Sequence, residues 1–381
     1  MTGGFDDWGG AEFVLAADRL DMPDVIEAAD PGDVLRQVAS SAAQVRTALR
    51  SCLESDLSAL TPDARPRAVV VAGVGASGLA GEILGAVTGL SSPVQIVISR
   101  AERLAGWVGA ADAVIAVSPD GSTAETLALA AEAVRRGCGL IGVGGRDSAL
   151  AELAKQAHAP FIGVQSAGMP RSTLWALSVP LVVVASRLGL IDVPASDYEA
   201  AAAELERISH LCRPGSETFV NPAKLLALDL AGTLPMIWGT SPLAGVAAYR
   251  FACQLNENAK YPAVHGMLPE ANHNQVVTFD GRFAGGPDGA ATSLPPVPLR
   301  LVLLRDSHEH PQVARRREES ARLAAGRGIE VTELAAAGGG PLERLASLVQ
   351  LIDYATVYLA IAQGIDPGPV ATIAELKARI A

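Results

Sequence analysis

The segment AVVVAGVGASGLAG, Ala68–Gly81, decides the fold. Its first half is an unbroken apolar run without polar alternation. A strand with one wet face would alternate, so this one is buried on both faces, as in a parallel sheet. The run ends in Gly73-x-Gly75-x-x-Gly78, and SGLAGEILGAV continues as a helix. Strand, glycine turn and helix open a βαβ unit whose backbone amides can approach a phosphate.

The same rhythm extends outward. VQIVIS, AVIAVS, GLIGVGG and APFIGV read as further strands, with the helix TAETLALAAEAVRRG between the second and third. An amphipathic helix over about 34–60 precedes them, and a long apolar helix over about 171–190 closes the series. ASDYEAAAAELERISHLCRPGSETFVNPA is a helical connector. A second series then starts at LPMIWGTSPLAG, with NQVVTF, LRLVLLRD and IEVTELAA as later strands. Helices over 342–363 and on to Ala381 end the chain. Strands alternating with helices predict right-handed crossovers and parallel sheets, hence an α/β protein of two domains. The expected division is an N-terminal extension 1–35, a first domain 36–195 and a second 215–381. No short repeat is visible.

Composition narrows the function classes. The 381 residues suffice for two domains, and a formal net charge of −11 disfavours nucleic acid as a general partner. Cys52, Cys138, Cys212 and Cys253 lack metal-ligand spacing and fit a reducing, cytoplasmic setting. The acidic start MTGGFDDWGGAEF is no signal peptide, and LWALSVPLVVVASRLGLI is interrupted by Ser178, Pro180, Ser186 and Arg187, so no membrane span is expected. His308 and His310 have ligand-like spacing but no third partner, and no metal is expected. The helix after Leu342 is apolar around most of its circumference, which predicts cover by the second sheet on one side and a partner subunit on the other.

The glycine loop alone leaves three readings open: a sugar phosphate, a dinucleotide, or a tight turn that binds nothing. The next strand ends in Ser99-Arg100, without the acidic residue that would hold a ribose hydroxyl. An arginine there suits a 2′-phosphate, so an NADP oxidoreductase stays open. A second turn, SPDGSTAET, places Ser118, Gly121, Ser122, Thr123 and Thr126 at another helix start. Hydroxyls and free amides there form an anion cradle, which a phosphomonoester uses and a dinucleotide does not need. Helix capping by Ser122 or Thr123 explains the same residues without a ligand.

The third signal is FACQLNENAKYPAVHGMLPEANHNQ, Phe251–Gln275, an unusual concentration of polar residues in this chain. Glu257 ends a helix between Asn256 and Asn258, which can hold its carboxylate. His273 follows after Pro269 in an irregular segment, and Lys260 can pair with Glu270. A surface helix carries such residues too.

Taken in order, the Ser77 loop, the Ser118–Thr126 loop, Pro170-Arg171 opening a helix, Arg250, NENAK and LPEANHN resemble the bifunctional phosphoglucose/phosphomannose isomerases. The resemblance runs from about Ala68 to the C-terminus. It implies two sugar isomerase (SIS) domains in tandem, each a flavodoxin-like three-layer unit with a parallel sheet. It implies interconversion of glucose 6-phosphate or mannose 6-phosphate with fructose 6-phosphate through a cis-enediol, with no cofactor, in a homodimer. Glu257 then matches the catalytic base, His273 the ring-opening imidazole, Arg171 the arginine beside the enediolate, and Lys377 a lysine that helps ring opening. Gly75, Ser77, Ser118, Ser122 and Thr123 match the phosphate cradle, where Asp120 replaces a hydroxyl residue. The first loop reads Gly75-Ala76-Ser77 where the family has Gly-Gly-Ser, and His273 is followed by Asn274-Gln275 where the family has Asn-Glu. Three accounts of Asp120 stand open: it caps the helix near Thr123, Arg100 neutralises it, or the native ligand carries a hydroxyl or amine there. A non-catalytic sugar-phosphate sensor of the same fold is the alternative to the isomerase.

Overall fold

The computed structural model describes residues 17–165, 168–281, 283–284 and 297–380. Most of the Gly/Pro-rich loop over 280–298 and the acidic N-terminal stretch fall outside these residues.

Among the described residues nine strands build two parallel sheets: β1 (Ala68–Ala72), β2 (Gln95–Ser99), β3 (Ala113–Ser118), β4 (Gly139–Gly144), β5 (Phe161–Gly163), β6 (Leu234–Gly239), β7 (Val264–Met267), β8 (Leu299–Arg305) and β9 (Glu330–Ala335). The first sheet has the order β2-β1-β3-β4-β5 and the second β7-β6-β8-β9. The first order is the flavodoxin-like one, which reverses direction between β1 and β3, where ligands of open α/β sheets bind. Ala72 of β1 lies opposite Ala116 of β3, so the two turns singled out in the sequence flank that point.

The unbroken apolar runs are explained by what each face meets. In the first sheet Val69, Val71, Ile115, Val117, Ile141 and Val143 face one core. Val70, Ala72 and Val114 face a second cluster, and Ala116 and Leu140 a third. Side chains alternate across a pleat, so both parities must be apolar when both faces are covered. The second sheet repeats this, with Ile237, Val302 and Leu304 in the shared core and Met236, Trp238, Leu301 and Leu303 in an outer cluster. One hydrophobic core therefore joins the inner faces of both sheets.

The helix Pro341–Ala362 runs through that core. It is long and apolar enough to cross a membrane by length and composition, yet 94% of its apolar window is buried inside the protein. Helices Ala195–Leu211, Pro222–Leu230 and Pro242–Asn258 of the same chain pack around it. Its all-round hydrophobicity is thus satisfied internally, which removes the expectation that a partner subunit covers it.

Two further expectations are corrected. NQVVTF forms a 3-10 helix, Gln275–Asp280, and the second sheet's edge is VHGM instead. The first long helix breaks at Ser40 into Val34–Ala39 and Ser41–Glu54. In the described part of the N-terminal extension, Leu20, Ile26 and Val34 are buried in the shared core. Lys224, fully buried, ties it down by donating to the carbonyls of Leu20, Pro214 and Ser216.

Candidate active site

The glycine turn follows from close packing. A Cβ on Gly73 would lie 2.6 Å from the Ser77 Cβ, and one on Gly78 would lie 2.8 Å from the Gly73 carbonyl and 2.9 Å from Arg100 Nε. Gly75 takes φ +57°, and a Cβ there would meet nothing within 4 Å. The outer glycines seat the helix Ala76–Thr88 on the strand, and the middle one turns the chain. Ser77 is buried at this helix start. Arg100 donates to Glu82 at 2.9 Å and lies over the Tyr249 ring, and it makes no ion pair with Asp120 among the described residues.

The second turn is closed on itself. Ser118, fully buried at the end of β3, donates through Oγ to Asp120 Oδ1 at 3.0 Å and shares a hydrogen bond of 2.9 Å with Thr123 Oγ1. Ser122 gives its amide to Asp120 Oδ1 and its hydroxyl to Oδ2. These bonds, the Ser122 hydroxyl first, hold the Asp120 carboxyl below its ordinary range. The helix Ala124–Arg135 has Thr123 as N-cap and no side-chain cap, so Asp120 does not cap it. An anion of the chain itself takes up the donors expected for a phosphate.

The helix Pro242–Asn258 delivers the third signal. Ser241 caps its start by accepting from the Ala244 amide, with Pro242 in the first turn. Its end is strained: Lys260 adopts φ +54° and the Tyr261 amide returns to the Leu255 carbonyl. A lysine in a conformation that glycine favours is a cost borne next to Glu257. Lys260 Nζ donates to the carbonyls of Glu257, Asn258 and Asp366. It does not pair with Glu270, whose carboxylate accepts from Asn274 Nδ2.

Glu257 is half-buried and lines a cleft of about 560 Å³ with Asn256, Lys260, Tyr261 and the segment Pro369–Ile373. Arg171 lies beside it, in the 3-10 turn Pro170–Ser172, only 6% exposed. Burial pushes its guanidinium below the ordinary value; the Glu257 charge opposes that shift and Arg250 adds to it. Lys260 is likewise pushed down by burial, with Arg171 adding to the shift and Asp366 and Glu257 opposing it. Arg171 donates through Nε to Asn258 Oδ1 at 2.8 Å and through Nη2 to the carbonyls of Pro367 and Gly368. Asn258 therefore serves the arginine and does not hold the Glu257 carboxylate. Arg250 makes a two-pronged ion pair with Asp353 and donates to the Arg171 carbonyl.

The resemblance assigned Glu257 and Arg171 to one site, and the fold brings Arg171 onto Asn258, the neighbour of Glu257, although the two are far apart in the chain. Asn258, Arg250 and Asp353 support them, and the i, i+4, i+8 spacing of Arg250, Gln254 and Asn258 was the signal for that shared helix face. His273 is exposed in the 3-10 turn Glu270–His273, with no hydrogen bond to Glu257 or Arg171 among the described residues. Lys377 lies on the tail helix Ala371–Ile380, none of whose residues is buried. His310 caps the helix Pro311–Ala325 by accepting from the Gln312 amide.

The chain is similar to several known proteins. Residues 219–380 match the family described as bacterial phospho-glucose isomerase C-terminal SIS domain. A bifunctional phosphoglucose/phosphomannose isomerase of Caldicellulosiruptor bescii is 31% identical over 318 residues, 82% of this chain and 89% of that protein. The like-named protein of Aquifex aeolicus is 29% identical, covering 69% of this chain and 74% of its own. In fold, a glucose-6-phosphate isomerase from Chlamydia trachomatis superposes with a TM-score of 0.69 at 11% identity, covering 97% of this chain and 84% of that one.

Proposed function

The chain belongs to the bifunctional phosphoglucose/phosphomannose isomerase family, and from that premise we propose that it interconverts glucose 6-phosphate or mannose 6-phosphate with fructose 6-phosphate. The reaction moves a proton between C1 and C2 through a cis-enediol. It needs a base, a cation for the enediolate and a group to open the ring. Glu257 is the base and Arg171 the cation; the observation that carries this reading is that Glu257 lines the 560 Å³ cleft while Arg171, bonded to the neighbouring Asn258, lies behind it within reach of the Glu257 charge. His273 and Lys377 handle ring opening. Gly75, Ser77, Ser118, Ser122 and Thr123 receive the phosphate at the ends of β1 and β3, the donors of Ser118 and Ser122 being released by Asp120 as it enters. The exchange is redox-neutral, so no cofactor is consumed.

The two SIS units are read as 36–195 and 215–381. A homodimer is part of the reading: Ile373, Leu376 and Ile380 form an exposed apolar stripe along the tail helix. Light scattering at micromolar concentration tests it, a monomer being the contrary result. Cytoplasmic residence is supported by Cys52, Cys138, Cys212 and Cys253, all free thiols.

One observation favours a second reading. Asp120 engages the donors of the phosphate cradle, which suits a phosphosugar-binding protein whose ligand differs from a hexose 6-phosphate. Coupled turnover assays with each hexose phosphate separate the two. Conversion to fructose 6-phosphate supports the isomerase, and binding without conversion supports the sensor.

A further inference from the structure

We propose that Asn258 is a positioning residue for Arg171, holding the guanidinium so that Nη1 is the nitrogen it offers to the substrate. The inference rests on the role given to Arg171 above and goes beyond it.

Thr356, fully buried on the helix Pro341–Ala362, donates its hydroxyl to the Asp353 carbonyl at 2.8 Å. A hydroxyl has one proton, so toward Asn258 the Thr356 oxygen can only accept. It accepts from Asn258 Nδ2 at 2.9 Å, and the same nitrogen donates to Gln254 Oε1 at 2.9 Å. The amide is thereby oriented: its NH₂ end faces Gln254 and Thr356, and its oxygen faces Arg171. Asn258 Oδ1 accepts from Arg171 Nε, and the carbonyls of Pro367 and Gly368 take Nη2. Among the described residues Nη1 makes no hydrogen bond. A planar guanidinium held at two of its three nitrogens has a fixed third direction. Arg250 fixes the other end of the residue, donating to the Arg171 carbonyl while Asp353 holds it in place.

All of this hardware is neutral where it meets the guanidinium: an amide oxygen and two peptide carbonyls. That is the economy a positive charge needs if it is to act on a developing oxyanion. A carboxylate at 258 would be nearly the same shape but would already satisfy the charge.

The experiment compares wild type with Asn258→Asp and Thr356→Val. The readouts are kcat and KM for the hexose phosphate, and calorimetric binding of two probes. One probe is a phosphorylated aldonate, whose carboxylate stands where the enediolate forms; the other is a hexitol 6-phosphate, which has none. Asn258→Asp is expected to lower kcat by at least about tenfold with KM nearly unchanged, the size of one misdirected charged hydrogen bond. It is expected to weaken the aldonate by a similar factor and leave the hexitol phosphate as it was. Thr356→Val, which lets the amide turn over, shifts the same quantities in the same direction by less, and keeps the test open if Asn258→Asp does not fold. Equal weakening of both probes, or no change in either, overturns the proposal. A wild-type protein that does not turn over hexose phosphates, yet shows the selective loss of the aldonate, defeats the isomerase reading and leaves this one standing.

Discussion

Asp120 and Ser122 are joined twice: the Ser122 amide reaches Oδ1 at 3.0 Å and its hydroxyl reaches Oδ2 at 2.7 Å. With Ser118 as third donor, the carboxylate sits among groups that a phosphate would use. A dianion entering this turn must displace an anion already satisfied. Replacing Asp120 by Ser frees the donors and removes the repulsion. Hexose 6-phosphate binding is then expected to tighten by at least about tenfold, roughly one charged hydrogen bond. Calorimetric titration at one ionic strength decides, and weaker binding by the Ser variant contradicts the account. The same bonds have an acid signature. The folded carboxyl titrates below its ordinary 3.8, so its stabilisation is present above 3.8 and lost as pH falls through the lowered value. The stability gap between wild type and Asp120→Asn is therefore expected to be constant near neutrality and to close on the acid side of 3.8, read by melting at stepped pH.

Glu257→Gln keeps size and hydrogen bonding and removes the base. Turnover is expected to fall about 10²–10⁴-fold, the usual worth of a general base. The melting temperature should hold, because no hydrogen bond to the Glu257 carboxylate supports the fold among the described residues. Native turnover by this variant would show that another group takes the proton.

Arg250 and Asp353 are both buried, 3% and 4% exposed, and bonded at 2.6 and 2.8 Å. Asp353→Ala strands the Arg250 charge in the shared core. Breaking a buried pair from one side costs about 3–5 kcal/mol. Denaturant unfolding measures it, and a loss below about 1 kcal/mol, the range of an exposed pair, would mean that water reaches Arg250.

How much of this was legible in the sequence depends on burial. β1, β3 and β4 read correctly because both faces are covered, so their runs are apolar throughout save the terminal Ser118 of β3. β7 did not, because Val264–Met267 is a half-exposed edge whose glycine and histidine carry no strand signal. Val276, Val277 and Thr278 have strand propensity, yet Val277 is 65% exposed and the segment finds no ladder, so it winds into a 3-10 turn. In the site, residue types were readable and proximity was not. NENAK marks Glu257, but nothing local shows that Arg171, from the first half, docks on Asn258. The sequence suggested that Asn258 holds Glu257; a helix turns 100° per residue, so neighbours face different ways, one into the cleft and one into the core. Lys260 pairs with carbonyls because it closes the helix end, a tertiary detail that no spacing rule supplies.

The central claim is proton transfer between C1 and C2 through an enediol, and solvent isotope tests it most directly. Hexose 6-phosphate incubated with the protein in deuterium oxide is examined by nuclear magnetic resonance. The account predicts deuterium at C2 of the aldose and C1 of the ketose, with incorporation lost in Glu257→Gln. Interconversion without solvent deuterium at either carbon would point to direct hydrogen transfer, and no interconversion at all would contradict the assignment of an isomerase.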